Sequence, residues 1–164
     1  MGTQQILLIV LSVIIVGAAI AVGIQMFNSQ SYSASKSAIA ADAQSYASQI
    51  VQYYKTPESQ GGAGGTLATG DEAKIANFIG WGSTEAGANN MKNDNGEFKI
   101  IVTSANQVDV LGLSKEDNGT NKPAIRTKIT LPQGKIEGTP KDVASGTTID
   151  NLSVANFTEG AGGD

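Results

Sequence analysis

Residues 2–36 read GTQQILLIVLSVIIVGAAIAVGIQMFNSQSYSASK and are the most apolar part of the chain. Its first charged side chain is Lys36, and only one serine and two glycines interrupt the apolar run Ile6–Ile24. As a helix this run would be roughly 28 Å long, about the thickness of the hydrocarbon core of a bilayer. The stretch therefore predicts a helix that leaves water, either in a membrane or among other helices.

The composition excludes several classes of function. The chain has 164 residues, a net charge of −4, no cysteine and no histidine. A net negative charge without a basic patch argues against a nucleic-acid partner, and the lack of histidine removes the commonest general base and metal ligand. No nucleophile motif or phosphate-binding glycine loop occurs. We therefore predict a protein that is not an enzyme and uses no cofactor, catalytic residue or metal.

A cleavable signal peptide fits the start of the chain poorly. Signal peptides have a basic region followed by an apolar stretch of about 7–15 residues and a nearby small-residue cleavage site. Here no basic residue precedes the run, and the first Ala-x-Ala after the run, at 38–40, lies well beyond its end. A permanent single-span anchor and a helix that packs among copies of itself remain as the two stronger interpretations.

The helical pattern continues beyond the apolar run. No proline or glycine occurs between Gly23 and Pro57, and aromatic and aliphatic residues recur at heptad spacing, which is typical of one buried helix face. We predict a single helix over about residues 4–55, which ends before Pro57. The residues predicted to pack this helix on a head domain are Ile39, Tyr46, Ile50 and Tyr53.

An uncharged apolar helix that runs unbroken into an amphipathic half and then into a β-rich head resembles the type IV pilins. The resemblance covers about residues 1–57. It implies a subunit held in the cytoplasmic membrane by this helix and then assembled, by pilus assembly machinery, with identical subunits into a cell-surface filament. The resemblance allows three variants: pili, archaellum-like filaments and secretion pseudopilins. Such filaments serve in adhesion, motility, secretion or DNA uptake, and the resemblance does not choose among these roles.

The resemblance implies that the apolar helix forms the filament core. Small residues four apart, as in Gly17 and Ala21, would let helix backbones approach closely. One departure is Gln5, because the family usually has a glutamate there that is thought to pair with a neighbour's amino terminus. The residues predicted to pack in the core are Gln5, Ile6, Leu7, Leu8, Ile9, Leu11, Val13, Ile14, Ile15, Gly17, Ile20, Ala21, Gly23 and Ile24.

The rest of the chain, residues 58–164, predicts a β-rich head. Residues 58–70 read as a flexible connection, a short helix is expected near 71–79, and Trp81 is expected in the core. β-Branched stretches separated by turn residues predict an antiparallel sheet of four or five strands with one face on the helix, the α+β class. The predicted strands are Phe98–Thr103, Gln107–Leu113, Ala124–Leu131 and 147–157.

Two features of the head leave alternatives open. The turn at residues 116–119 has oxygen ligands near a glycine, as calcium loops do, although an ordinary hairpin turn fits better. Asn-x-Ser/Thr sequons begin at Asn118, Asn151 and Asn156, and Asn118, in a predicted turn, is the best candidate for glycosylation.

The sequence thus favours a structural filament subunit. The alternatives are a single-span protein that displays a small β domain outside the membrane, or a secretion pseudopilin. No combination of residues in the sequence points to a membrane-tethered enzyme.

Overall fold

The structure is a computed structural model that describes residues 2–81 and 89–157. A long helix, α1, is followed by a short helix, α2, and a five-stranded sheet, so the predicted α+β class is confirmed. Two single 3₁₀ turns, Glu58–Gln60 and Val154–Phe157, complete the described chain. The elements are α1 (Gly2–Lys55), α2 (Glu72–Phe78), β1 (Asn90–Lys92), β2 (Gly96–Ser104), β3 (Gln107–Ser114), β4 (Asn121–Thr130) and β5 (Lys135–Ala144).

The end of α1 is covered by the segment that follows it. The amide of Ala63 donates to the Tyr53 carbonyl and the amide of Gly65 donates to the Tyr54 carbonyl, at 3.0 and 2.9 Å. These bonds satisfy carbonyls that the last turn of a helix leaves without partners. The segment 58–70, which was predicted as a flexible connection, thus folds back over the helix terminus.

The sheet is an antiparallel meander in which each strand pairs with the next along the chain. Ile100 pairs with Val110, and Val110 pairs with Thr127. From Ile125 onward, buried and partly exposed residues alternate along β4, because Ile125, Thr127 and Ile129 are buried while Arg126 and Lys128 are partly exposed. One face of the sheet therefore lies on a core.

The predicted strand at 147–157 is wrong. This segment forms turns and a 3₁₀ turn, whereas the unpredicted fifth strand is β5, with the sequence KIEGTPKDVA. Its glycine and proline weaken the strand signal, yet a proline is tolerated on an edge strand because one side of the ladder has no partner. β1, the other edge strand, is only three residues long and was also not predicted.

The main core lies between the second half of α1 and one face of the sheet. Its aromatic residues meet edge to face, with the Tyr46 ring 5.1 Å from both Trp81 and Phe98. Trp81 is buried as predicted. Gly112 leaves room for this packing, because a Cβ there would lie 2.9 Å from carbons of both Phe98 and Ile125.

A second, smaller core lies on the opposite face of the sheet. Strands β3 and β4 supply part of it, and the segment after β5 supplies the rest. The apolar residues that suggested a strand at 147–157 thus serve to cover this face. The buried members are Leu111, Leu113, Ala124, Ile149, Leu152 and Phe157.

A buried ion pair lies on that same outer side of the sheet. Asp109 is fully buried, and one carboxylate oxygen accepts a hydrogen bond from Arg126 Nε at 2.8 Å. The other oxygen accepts from Thr103 Oγ1 at 2.7 Å and from Gln107 Nε2 at 2.8 Å. The carboxylate is thus compensated by one charge and two polar groups, as burial of a charge requires. The sequence did not predict this cluster.

Candidate functional site: the exposed apolar helix

The apolar segment Ile6–Ile24 is the most unusual surface of the described chain. Its large aliphatic side chains are between 49% exposed, at Leu11, and 68% exposed, at Leu7. Residues 2–30 are all exposed, and the head covers α1 only beyond them. A helix that is apolar on every side is stable only when lipid or other helices surround it.

The apolar segment can enter an apolar environment at little polar cost. Its backbone groups are paired within the helix, as a membrane interior demands. Its single hydroxyl, Ser12 Oγ, donates to the Ile9 carbonyl at 2.8 Å, and no charged residue precedes Lys36. Within the described residues, α1 is the one helix long and apolar enough to cross a membrane.

The residues predicted to pack in a filament core all lie on this exposed part of α1. Within the chain these residues are exposed and are not covered by the head. A Cβ added at Gly17 or Gly23 would meet nothing within 4 Å. The chain's own fold therefore gives no reason for glycine at these two positions.

The residues predicted to face the head are on the opposite half of α1. Ile39 and Ile50 are 0% exposed and Tyr53 is 3% exposed, all within the main core. Tyr46 is partly buried, and its hydroxyl oxygen accepts from Asn93 Nδ2 at 3.3 Å. The same helix thus carries a buried half and an exposed apolar half.

Two charged residues of the buried half, Lys36 and Asp42, bond to the head. Lys36 Nζ lies 3.1 Å from Asp142 Oδ1 on β5, and Asp42 Oδ2 accepts from the side-chain amides of Asn93 and Asn95, each at 2.8 Å. These partners could not be predicted from local sequence patterns, because they are 51 to 106 positions apart. They fix the head on α1 and leave the first half of the helix clear.

The Lys36–Asp142 pair perturbs two ionisable groups. Desolvation raises the pKa of the Asp142 carboxyl, but the opposing effects of the Lys36 ammonium and the Tyr32 hydroxyl hold the pKa below its ordinary value. Desolvation, together with the neighbouring Asp142, raises the pKa of Tyr32 to about 12. The carboxylate form of Asp142 is therefore favoured in the folded chain.

This shift predicts a pH dependence of stability. Because folding lowers the pKa of Asp142, its carboxylate stabilises the head above the ordinary aspartate pKa, and this contribution is lost as pH falls through the lowered pKa. We expect Asp142→Asn to destabilise the head at neutral pH by less than about 1 kcal/mol, since both side chains are partly exposed. Urea unfolding of both proteins would show the difference at pH 7 and its loss in acid. An equal difference at both pH values would contradict the ion pair.

The turn at residues 116–119, whose sequence is similar to that of a calcium loop, and the turn at residues 93–96 use polar side chains to hold their own backbone. Asn93 Oδ1 accepts from the amides of Asn95 and Gly96 at 2.9 and 2.8 Å, and Asp117 Oδ1 accepts from the amide of Gly119 at 3.0 Å. Across residues 2–81 and 89–157, no three acidic side chains form a group suited to a metal ion. The geometry is that of ordinary hairpin turns.

The chain is thus an α+β protein whose first helix has an exposed apolar part long enough to span a membrane. Comparison of the chain with protein-family models, with curated proteins and with solved structures finds no match.

Proposed function

We propose that this chain is the structural subunit of an extracellular filament of the type IV pilus kind. The helix α1 would hold it in the cytoplasmic membrane before assembly, and the apolar segment would then form the core of the fibre with the corresponding helices of identical subunits. The head would form the outer surface. Pilus assembly machinery would move the subunit from membrane to fibre.

One observation carries the proposal: the apolar segment is exposed on all sides while the rest of the same helix is built into the head. Burial of each large aliphatic side chain stabilises by about 1.5–3 kcal/mol relative to water. The segment therefore does not remain in water. Because it is an uninterrupted extension of a helix fixed in the head, a fibre of packed helices would carry the heads on its outside.

Transfer of the segment from lipid to a helix bundle needs more than hydrophobicity. Lipid tails are as apolar as leucine, so helices in a membrane associate through close packing, which small residues at the contact permit. Gly17 and Ala21 lie four residues apart, and glycine at position 17 serves no contact within the chain. These two positions are thus where a packing role can be tested.

We expect the double substitution Gly17→Leu and Ala21→Leu to abolish fibres and keep the protein in the membrane. Two added leucines would hold the backbones apart, while the helix becomes a more apolar anchor. The measurement is the amount of the subunit in fibres sheared from cells and in the membrane fraction. We expect about a tenfold or larger loss from the fibres, which corresponds to about 1.4 kcal/mol or more.

The matched control is Ile14→Leu, which changes side-chain shape in the same segment without changing its volume. It should leave both fractions as in the unmodified protein. Normal fibres from the double variant would contradict close packing at these positions. Recovery of the unmodified chain only with membranes would reject the filament and support a single-span protein that displays its head.

A further inference from the structure

The three sequons differ in how the fold presents them. In the sequons that begin at Asn151 and Asn156, the middle residue is buried, because Leu152 and Phe157 are 1% and 4% exposed in the second core. At Asn118, by contrast, all three sequon residues and both their neighbours are exposed. Of the three sequons, the one at Asn118 is therefore the only one with no described residue in a core.

The side chain of Asn118 is also suitably arranged. Its Oδ1 accepts from the amide of Thr120 at 3.1 Å and from the amide of Asn121 at 2.7 Å. These bonds fix the orientation of the Asn118 carboxamide through its oxygen. Within the described residues, Nδ2 itself has no hydrogen-bond partner. In the Asn151 sequon, by contrast, the hydroxyl of Ser153 is already bonded to Asn156 Oδ1, at 2.8 Å.

From this geometry we propose that Asn118 is the acceptor of an N-linked oligosaccharide. The donor class is a sugar carried on a polyprenyl diphosphate. Nδ2 of Asn118 attacks the anomeric carbon, the N–C bond forms as the carbon–oxygen bond to the diphosphate breaks, and the lipid diphosphate leaves. One Nδ2 proton passes to a base of the transferring enzyme. The Asn-x-Thr pattern is the one such enzymes recognise.

The position of the site determines where the glycan would lie. Asn118 lines a cleft with Asn28 and Tyr32 of α1, just beyond the apolar segment. An oligosaccharide there would stand at the base of the head, beside the first polar turns of the helix. The inference requires a head outside the cytoplasm but does not depend on filament formation, so the two proposals fail separately.

The test is mass spectrometry of the protein purified from cells that produce it naturally. We expect the peptide that contains Asn118 to carry hexose or acetylated-hexosamine mass, and fragmentation of that peptide to place the added mass on Asn118. Thr120→Ala should abolish the added mass, whereas Thr120→Ser should keep it, because serine preserves the sequon. Asn151→Gln and Asn156→Gln should leave the mass unchanged.

The unmodified protein alone makes the inference falsifiable, whatever the variants do to folding. A peptide spanning Asn118 that is recovered entirely at its sequence mass would overturn the proposal. So would sugar found on Asn151 or Asn156 in place of Asn118, because that would show burial of the sequon does not govern the choice.

Discussion

A chain shortened to residues 28–164 is expected to be a folded monomer that stays in solution without detergent, whereas the full chain requires detergent or lipid. Every large apolar side chain that is exposed in the described structure lies before residue 28, except Phe78, which is 37% exposed. The buried positions of α1 begin only at Ile39, so the cut removes no core residue. At about 1.5–3 kcal/mol for each aliphatic side chain, the difference in solvation is roughly tens of kcal/mol.

Sedimentation of the two chains, with circular dichroism to measure helix and sheet content, would test this expectation. A chain that lacks only Gly2–Gln5 is the matched control, and it should still need detergent because the apolar segment is intact. Aggregation or loss of structure in the 28–164 chain would show that the apolar segment supports the head. That result would contradict the conclusion that only the second half of α1 is part of the head's core.

We expect the substitution Asp109→Ala to cause a large loss of stability in the head. Removal of the carboxylate leaves the Arg126 guanidinium, whose side chain is only 14% exposed, without its charged partner. It also removes the acceptor of the Thr103 hydroxyl and the Gln107 amide. Loss of one member of a buried pair typically costs about 3–5 kcal/mol, so we expect a loss of that order in the free energy of unfolding of the 28–164 chain, measured in urea.

A matched control uses an ion pair at the surface of the same sheet. Lys92 Nζ lies 2.6 Å from Glu97 Oε1, with the two side chains 67% and 32% exposed, so Glu97→Ala should cost less than about 1 kcal/mol. Asp109→Asn, which keeps a hydrogen-bond acceptor but no charge, should fall between the two. If Asp109→Ala destabilises the head no more than Glu97→Ala does, the buried cluster does not contribute as proposed.

Much of the fold was predictable because its signals are local. The unbroken helical pattern up to Lys55, the following Pro57 and the alternation in β4 each act within a few residues. The segment at 147–157 misled because β-branched and apolar residues suit a strand and a sheet-covering turn equally well. β5 escaped prediction because its pairing with β4, rather than its own composition, makes it a strand.

The candidate site was likewise predictable in one part and not in another. The apolar segment and its length are properties of consecutive residues, whereas the side chains that fix the head on α1 come from distant strands. The choice among the three sequons likewise required the structure, because burial of Leu152 and Phe157 depends on the second core.

Local sequence patterns were enough to predict a long helix, an uncharged apolar first half of that helix, and a small antiparallel sheet after it. These features arise from periodicity and turn chemistry, which act over short separations. The folded structure was needed to show which segment forms the fifth strand, that Arg126 compensates Asp109, and that Lys36 faces Asp142. The members of these two ion pairs are 17 and 106 positions apart in the sequence. Local conformational preferences act over a few residues, so such contacts depend on how the helix and strands pack together.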